Sequence, residues 1–277
     1  MFKYSYDALV YFGEDIEKSV FRVASCGYDA IELVGEPDSY EVPRVRKSCE
    51  KNGIAVSSIC SIYNKKRDLI SPEPKQRQKA VEYVKRVADF AAEVGAPVMI
   101  VAPSACMKTT QLSSSEDELS WAVEGIYQGA EYANTLNVNL AIEAWNRYET
   151  HFLNRVEQCL ELRKKIKLPN VGVMGDTFHM NIEEEVISKS LYNAGEDLIH
   201  LHIADSNRAA PGKGHIDFAP ILKALKDIQY KGYITFELLP AFADPFGTLR
   251  KGGGREFFDE YTKQAIDYIK SIEKKII

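Results

Sequence analysis

The sequence predicts an α/β protein built as a single (β/α)8 TIM barrel, one domain spanning residues 1–277. Three observations lead there. Short β-branched or aromatic runs alternate with longer amphipathic stretches, giving eight strand–helix units. The strands are largely apolar, as expected when both of their faces are covered. No Gly/Ser/Pro-rich linker divides the chain, and its 277 residues suit one barrel of ~250 residues as well as two domains of ~150.

The elements follow in order. FKYSY (2–6) leads to a helix over 14–26, AIELV (30–34) to one over 40–52, and IAVSSIC (54–60) to one over 75–94. PVMIVA (97–102) precedes a helix over 116–136, and VNLAIEA (138–144) one over 152–166. VGVMGD (171–176), LIHLHIAD (198–205) and YITFELL (233–239) precede helices over 183–193, 217–229 and 255–273. The third helix is the clearest: Ala80, Val81, Val84, Val87, Ala88 and Ala91 recur at steps of three or four. Ser115 and Glu118 have capping-box spacing before the fourth. Gly27, Gly53, Gly95 and Gly232 stand where helices return to strands, a position that favours glycine. The basic run RKKIK (163–167) closes a helix, where cations complement the dipole, and reads as a solvated face. Helix-length crossovers imply parallel pairing, and eight such units suggest closure.

Composition narrows the function. Hydrophobic residues make up 45% and charged residues 27%, ordinary globular values that exclude global disorder. The net charge of −5 lacks the basic excess of a nucleic-acid binder. The five cysteines, Cys26, Cys49, Cys60, Cys106 and Cys159, are odd in number, widely spaced and without C-x-x-C, so they read as reduced thiols. The N-terminus lacks a basic segment followed by an apolar one, and no apolar run approaches the ~18 residues of a membrane span. The expectation is a soluble cytoplasmic protein with no membrane partner. All five histidines, His151, His179, His200, His202 and His215, lie beyond residue 150, which points to the second half for chemistry.

In such a barrel the active site lies at the C-terminal ends of the strands. Polar residues that interrupt apolar strands there are Glu143 on strand 5, Asp176 on strand 6, His202 on strand 7 and Glu237 on strand 8. One such residue is readily a paired core group. Four on neighbouring strands are costly to bury without a cation. Three carboxylates and one imidazole suit Mn2+, with Mg2+, Co2+ or Zn2+ as alternatives, and the absence of cysteine argues against structural zinc. Glu149, His179 and Arg208 follow these strands in loops where substrate contacts belong. Arg208 reads as a substrate contact rather than a partner of Asp205. His200 points the same way as His202 and reads as a group behind the ligands. His151 reads as a surface or helix-start residue. Glu32 ends strand 2 and serves either the pocket or the framework.

The segments AIEAWNRYE (141–149), DTFHMNIEE (176–184), HIADSNRAAPGKGH (202–215) and GYITFEL (232–238) resemble the D-tagatose 3-epimerase and D-allulose (psicose) 3-epimerase family of the xylose-isomerase-like sugar isomerases and epimerases. The resemblance is strong over about 140–240 and loose over the first 100 residues, and DTFHMNIEE is its most specific piece. Successive spacings of 33, 26 and 35 residues along Glu143, Asp176, His202 and Glu237 fit the family order. The resemblance implies a barrel with one divalent metal, commonly Mn2+, held by Glu143, Asp176, His202 and Glu237. It implies Glu143 and Glu237 as the acid/base pair, and Glu149, His179 and Arg208 as groups holding oxygens at one end of a sugar. It also implies a homo-oligomer. The reaction would deprotonate the carbon next to a ketone, a metal-bound enediolate carrying the charge. The substrate would be a ketose or keto acid.

The sequence departs from that family in places. Glu237-Leu238-Leu239-Pro240 replaces the usual E-P-F, His215 stands where arginine is common, Trp145 replaces an aliphatic residue, and the tail 243–261 does not align. These differences keep a related activity open: the metal-bearing subunit of C-glycoside deglycosidases, lyases that eliminate an aglycone from a 3-keto-glycoside with a small partner subunit. A multi-zinc nuclease would need more histidine and a cationic complement to phosphate. A non-catalytic binding subunit would lack a ligand or a base, and none is missing. The glycines of LRKGGGREF (249–257) could bind an anion but read as a loop or subunit contact.

Overall fold

The computed structural model describes residues 1–240, 254 and 256–276. Its strands are β1 (Lys3–Asp7), β2 (Ala30–Val34), β3 (Ala55–Cys60), β4 (Val98–Val101), β5 (Asn139–Ile142), β6 (Val171–Asp176), β7 (Leu198–Ile203) and β8 (Tyr233–Phe236). Each pairs in parallel with the next, and β8 pairs with β1 through Tyr6 opposite Phe236. The sheet is a closed barrel without edges. That follows from the sequence: each strand is followed by a helix that carries the chain back across the outside, and only parallel pairing accommodates that crossover.

The helices among the described residues are α1 (Ile16–Ser25), α2 (Val42–Asn52), α3 (Pro74–Val94), α4 (Ser115–Asn134), α5 (Val156–Ile166), α6 (Thr177–Glu183), α7 (Ile187–Ala194), α8 (Phe218–Asp227) and α9 (Glu256–Ile276). Local chemistry sets their ends. The Asp15 carboxylate accepts the Glu17 N–H at the start of α1, and Asp217 does the same for Ala219 at α8. At α4 the cap is Ser114, whose hydroxyl accepts the Asp117 N–H, not Ser115 as the Ser115/Glu118 spacing suggests. Glu118 is instead buried at 1% exposure and turned toward the loop that precedes the helix. Gly27, Gly53 and Gly95 close α1, α2 and α3 with φ of 88°, 67° and 82°. Gly232 is a different case. The left-handed turn after α8 falls on Gln229, with φ of 56°. Gly232 is needed because a Cβ there would lie 2.6 Å from the Ile199 carbonyl oxygen.

Two departures from the sequence reading matter for the site. β1 runs one residue further than expected and ends on Asp7. An additional helix, α6, begins directly after Asp176, so His179 stands on a helix and not in a loop. The tail 243–261 and the glycines of 249–257 fall largely outside the described residues.

The apolar core has two parts. Most of it fills the layer between strands and helices, where Tyr4, Tyr6, Phe90, Phe218 and Phe236 are fully buried. A smaller cluster of Val98, Ile100, Ala141, Met174 and Ile199 plugs the barrel interior. Beside this plug the interior turns polar, with Ser5 and Ser57 in hydrogen-bond contact at 2.7 Å. All five cysteines are free thiols, as expected. Among the described residues no helix is long and apolar enough to cross a membrane.

Candidate active site

Four strand ends deliver the predicted cluster. Asp176 is the last residue of β6 and lies opposite His202 of β7 in register. Glu143 and Glu237 stand one residue past β5 and β8. All four are nearly buried, with exposures of 7%, 2%, 1% and 6% for Glu143, Asp176, His202 and Glu237. Glu143, Asp176 and His202 each offer a ligand atom within 4.8 Å of the others. Glu237 joins through its Oε2, 3.7 Å from His202 Nδ1.

The hydrogen bonding around this cluster is incomplete at two of its atoms. Asp176 uses Oδ1 to accept the Phe178 N–H at 2.8 Å, while its Oδ2 has no hydrogen-bond partner. His202 Nε2 lies 2.7 Å from Glu32 Oε1, while its Nδ1 has none. Buried polar atoms rarely stay unpaired. Here the free oxygen and the free ring nitrogen belong to the same cluster. Oxygen and imidazole donors converging without protein partners fit a divalent cation.

Electrostatics agree. Burial, with Glu237 and Asp176 nearby, raises the Glu143 carboxyl to about 8. Burial and Glu237 raise Asp176 to about 7. Fully ionised, these acids would carry more negative charge than the neighbouring His202 and Arg208 neutralise. Burial also opposes the charge on Glu237, yet Arg208 and His202 hold its carboxyl well below the ordinary range.

Glu32 lies beneath the cluster with no exposure. Its two oxygens reach His200 Nε2 at 2.8 Å and His202 Nε2 at 2.7 Å, and Ser58 Oγ donates to it as well. Burial resists its charge, but the two imidazoles hold it down at about 2. Glu32 is therefore an anion that fixes the His202 ring and turns Nδ1 toward the acids. His200 completes this layer on the same side of β7 as His202, and it does not line the cavity.

The three predicted substrate contacts gather above the cluster. Arg208 Nη2 donates to Glu237 Oε2 at 2.9 Å, and Nη1 lies 3.6 Å from Glu149 Oε1. Its guanidinium stacks 4.7 Å over the Phe178 ring. Asp205 does not pair with it, because that carboxylate accepts the Ser206, Gly212 and Ile216 N–H groups. His179 Nδ1 accepts the Asn146 N–H at 3.2 Å, so the ring proton sits on Nε2, 3.5 Å from Asp176 Oδ2. Burial pushes His179 well below its ordinary value, which keeps it a neutral donor. Glu149, His179, Arg208, Glu143 and Glu237 all line one cavity of about 480 Å³. Leu9, Phe12, Val34, Ile62 and Trp145 form its apolar walls.

Several residues escaped the sequence reading. Asp7 is buried, lies opposite Glu32, and approaches Glu237 and Cys60 within 4.8 Å. The strand-end logic would have found it had the first strand been extended by one residue. Asn146 orients both His179 and Glu149 through its amide, at 2.8 and 3.1 Å. His151 is no surface residue: it is largely buried and bound to Glu118 at 2.7 Å. His215 contacts Ser206 Oγ at 2.9 Å and does not line the cavity.

Residues 20–272 match the xylose isomerase-like TIM barrel family. The chain belongs to that family. It is 34% identical over 235 residues to a D-psicose 3-epimerase of Agrobacterium fabrum, covering 82% of this chain and 78% of that one. It is 31% identical over 225 residues to a ketose 3-epimerase of Arthrobacter globiformis, covering 81% and 78%. Its fold superposes on a D-allulose 3-epimerase of Methylomonas sp. in complex with D-allulose, with TM-score 0.87, 28% identity and 98% and 96% coverage. The chain is accordingly an enzyme of the sugar epimerase and isomerase kind. The C-glycoside lyase reading gains no support from these relatives.

Proposed function

We propose that the chain epimerises a small ketose at the carbon next to the carbonyl, with Glu143 and Glu237 as the proton-transfer pair. The observation that carries this reading is that these two carboxyls line one cavity and adjoin the unpaired Asp176 Oδ2 and His202 Nδ1 behind it. Glu143 and Glu237 stand three strands apart around the ring, which lets them address a flat substrate from different sides. One takes the proton and the other returns one to the opposite face. Arg208 and His179 aim N–H donors at the same space and would bind the carbonyl oxygen and its neighbour as negative charge grows. Glu149 would accept from a hydroxyl at that end.

Glu143, Asp176, His202 through Nδ1, and Glu237 would hold a divalent cation, Mn2+ first and Mg2+, Co2+ or Zn2+ as alternatives, supplying Lewis-acid polarisation of the carbonyl. The cavity of about 480 Å³ has room for a monosaccharide, and its apolar walls would exclude bulk water from the transfer. We place the enzyme in the cytoplasm as a homo-oligomer, its barrel forming one domain.

The deciding experiment incubates the Mn2+-loaded chain with D-allulose, and separately with D-fructose, in D2O. Deuterium at C3 together with the epimer supports the reading. Absence of both across a panel of free ketoses would remove it.

A further inference from the structure

Three loops that line the cavity belong to different strand–helix units. Ser61, Ile62 and Tyr63 come from the loop after β3, Cys106 from the loop after β4, and Trp145 and Glu149 from the loop after β5. No single element keeps these loops in register. A buried ion cluster outside the cavity joins all three. Lys108 of the second loop donates through Nζ to Asp68 Oδ2 and the Ile70 carbonyl of the first, each at 3.0 Å. The same ammonium lies 3.9 Å from Glu118 Oε1 on α4. Glu118 accepts the Leu112 N–H at 3.1 Å and reaches His151 Nε2, on the third loop, at 2.7 Å. His151 Nδ1 lies 3.0 Å from the Lys108 carbonyl oxygen, which also accepts the His151 N–H at 3.1 Å.

Backbone contacts complete the join. Lys108 and Thr150 form a lone parallel bridge, and Ser104 Oγ meets Thr150 Oγ1 at 2.6 Å. Leu69 N–H donates to the Pro103 carbonyl at 3.0 Å. The cluster ends two residues from Glu149 and the Thr150 contacts one residue from it, and Glu149 Oε2 is also touched by Cys106 Sγ at 3.7 Å. The side chains of Lys108, Asp68, Glu118 and His151 are exposed by only 9%, 7%, 1% and 14%. Charges so desolvated are held together strongly, because losing one leaves its partners uncompensated. Both ring nitrogens of His151 face acceptors, so the ring is gripped by α4 and by the second loop at once.

We propose that Asp68, Lys108, Glu118 and His151 are positioning residues that lock the three loops together and thereby set Glu149 for the sugar. The inference rests on Glu149 as a substrate contact. Displacing a positioning group by ~1 Å is enough to cost a large factor in rate or affinity.

The test uses Glu118→Gln, which keeps the shape, and Lys108→Met, which removes the central cation. Hydrogen exchange is measured on each sugar-free protein, and KM and kcat for D-allulose with Mn2+ on each loaded one. We expect faster exchange in all three loops in either variant. We also expect KM to rise about tenfold or more, with kcat within about threefold of the parent. Loosening confined to one of the three loops, or an unchanged KM, overturns the proposal. If the parent turns over no ketose, the epimerase reading falls and exchange alone decides: joint loosening supports the lock, isolated loosening rejects it. Should Lys108→Met not fold, Glu118→Gln decides by the same measurements.

Discussion

Glu32 and His202 are 170 residues apart in sequence and meet at 2.7 Å between Glu32 Oε1 and the ring Nε2. That bond fixes the ring so that the opposite nitrogen, Nδ1, faces Asp176 and Glu143. Glu32→Gln keeps the shape and removes the charge. Mn2+ affinity is expected to fall about 10–100-fold with the barrel intact, the usual cost of losing such a support. Titration calorimetry and far-UV circular dichroism on the same samples check both halves.

Glu237→Gln removes the group proposed to transfer a proton and one oxygen of the proposed cation site. Turnover is expected to fall at least ~10²–10⁴-fold while the protein stays folded. Full activity in that variant, with bound metal verified, would remove Glu237 from the mechanism.

Chelation followed by dialysis is expected to abolish activity, and Mn2+ to restore it. Mn2+ should also raise stability by about 3 kcal/mol at a free concentration 100 times its Kd. Unchanged activity after exhaustive metal removal would reject the cation site.

The metal-free protein should lose stability between pH 7 and 9. Burial raises Glu143 to about 8, so near pH 7 the folded chain binds a proton that the unfolded chain has released. His202, held well above its ordinary value by Glu32 and Glu237 against the effect of burial, acts in the same direction. His179 and His200 are pushed down by burial and are neutral in both states across this window. More protons bound in the native state means stability falls as pH rises, by up to ~1.4 kcal/mol per pH unit per proton. Saturating Mn2+ displaces those protons and should flatten the slope. Urea melts at pH 7, 8 and 9, with and without Mn2+, measure it.

Arg208→Lys keeps the charge but loses the planar fork that serves Glu237 and the stacking on Phe178. KM for the ketose should rise about tenfold. A KM equal to that of the parent would remove Arg208 from substrate binding.

The sequence by itself determined the barrel. Periodicity and strand–helix alternation are local properties, and eight parallel units leave little choice but closure. It also determined which residues reach the rim, because Glu143, Asp176, His202 and Glu237 interrupt apolar runs at strand ends. Glu149 and Arg208 followed from their places in the loops leaving the rim. Other features depended on contacts between distant segments. The spacing of Ser115 and Glu118 suggested a cap, but the first turn of α4 is capped by Ser114, and Glu118 serves His151 across the rim. His151 looked like a surface residue because its partners, Glu118 and the Lys108 carbonyl, lie 33 and 43 residues away. Glu32 stayed ambiguous because its role depends on two histidines of β7, on the far side of the closed ring. Asp7 was missed because the end of β1 is set by its pairing with Glu32, not by its own composition. Only the tertiary structure decided these roles, because the charge and hydrogen bonding of a buried polar group are set by what closure of the sheet places beside it.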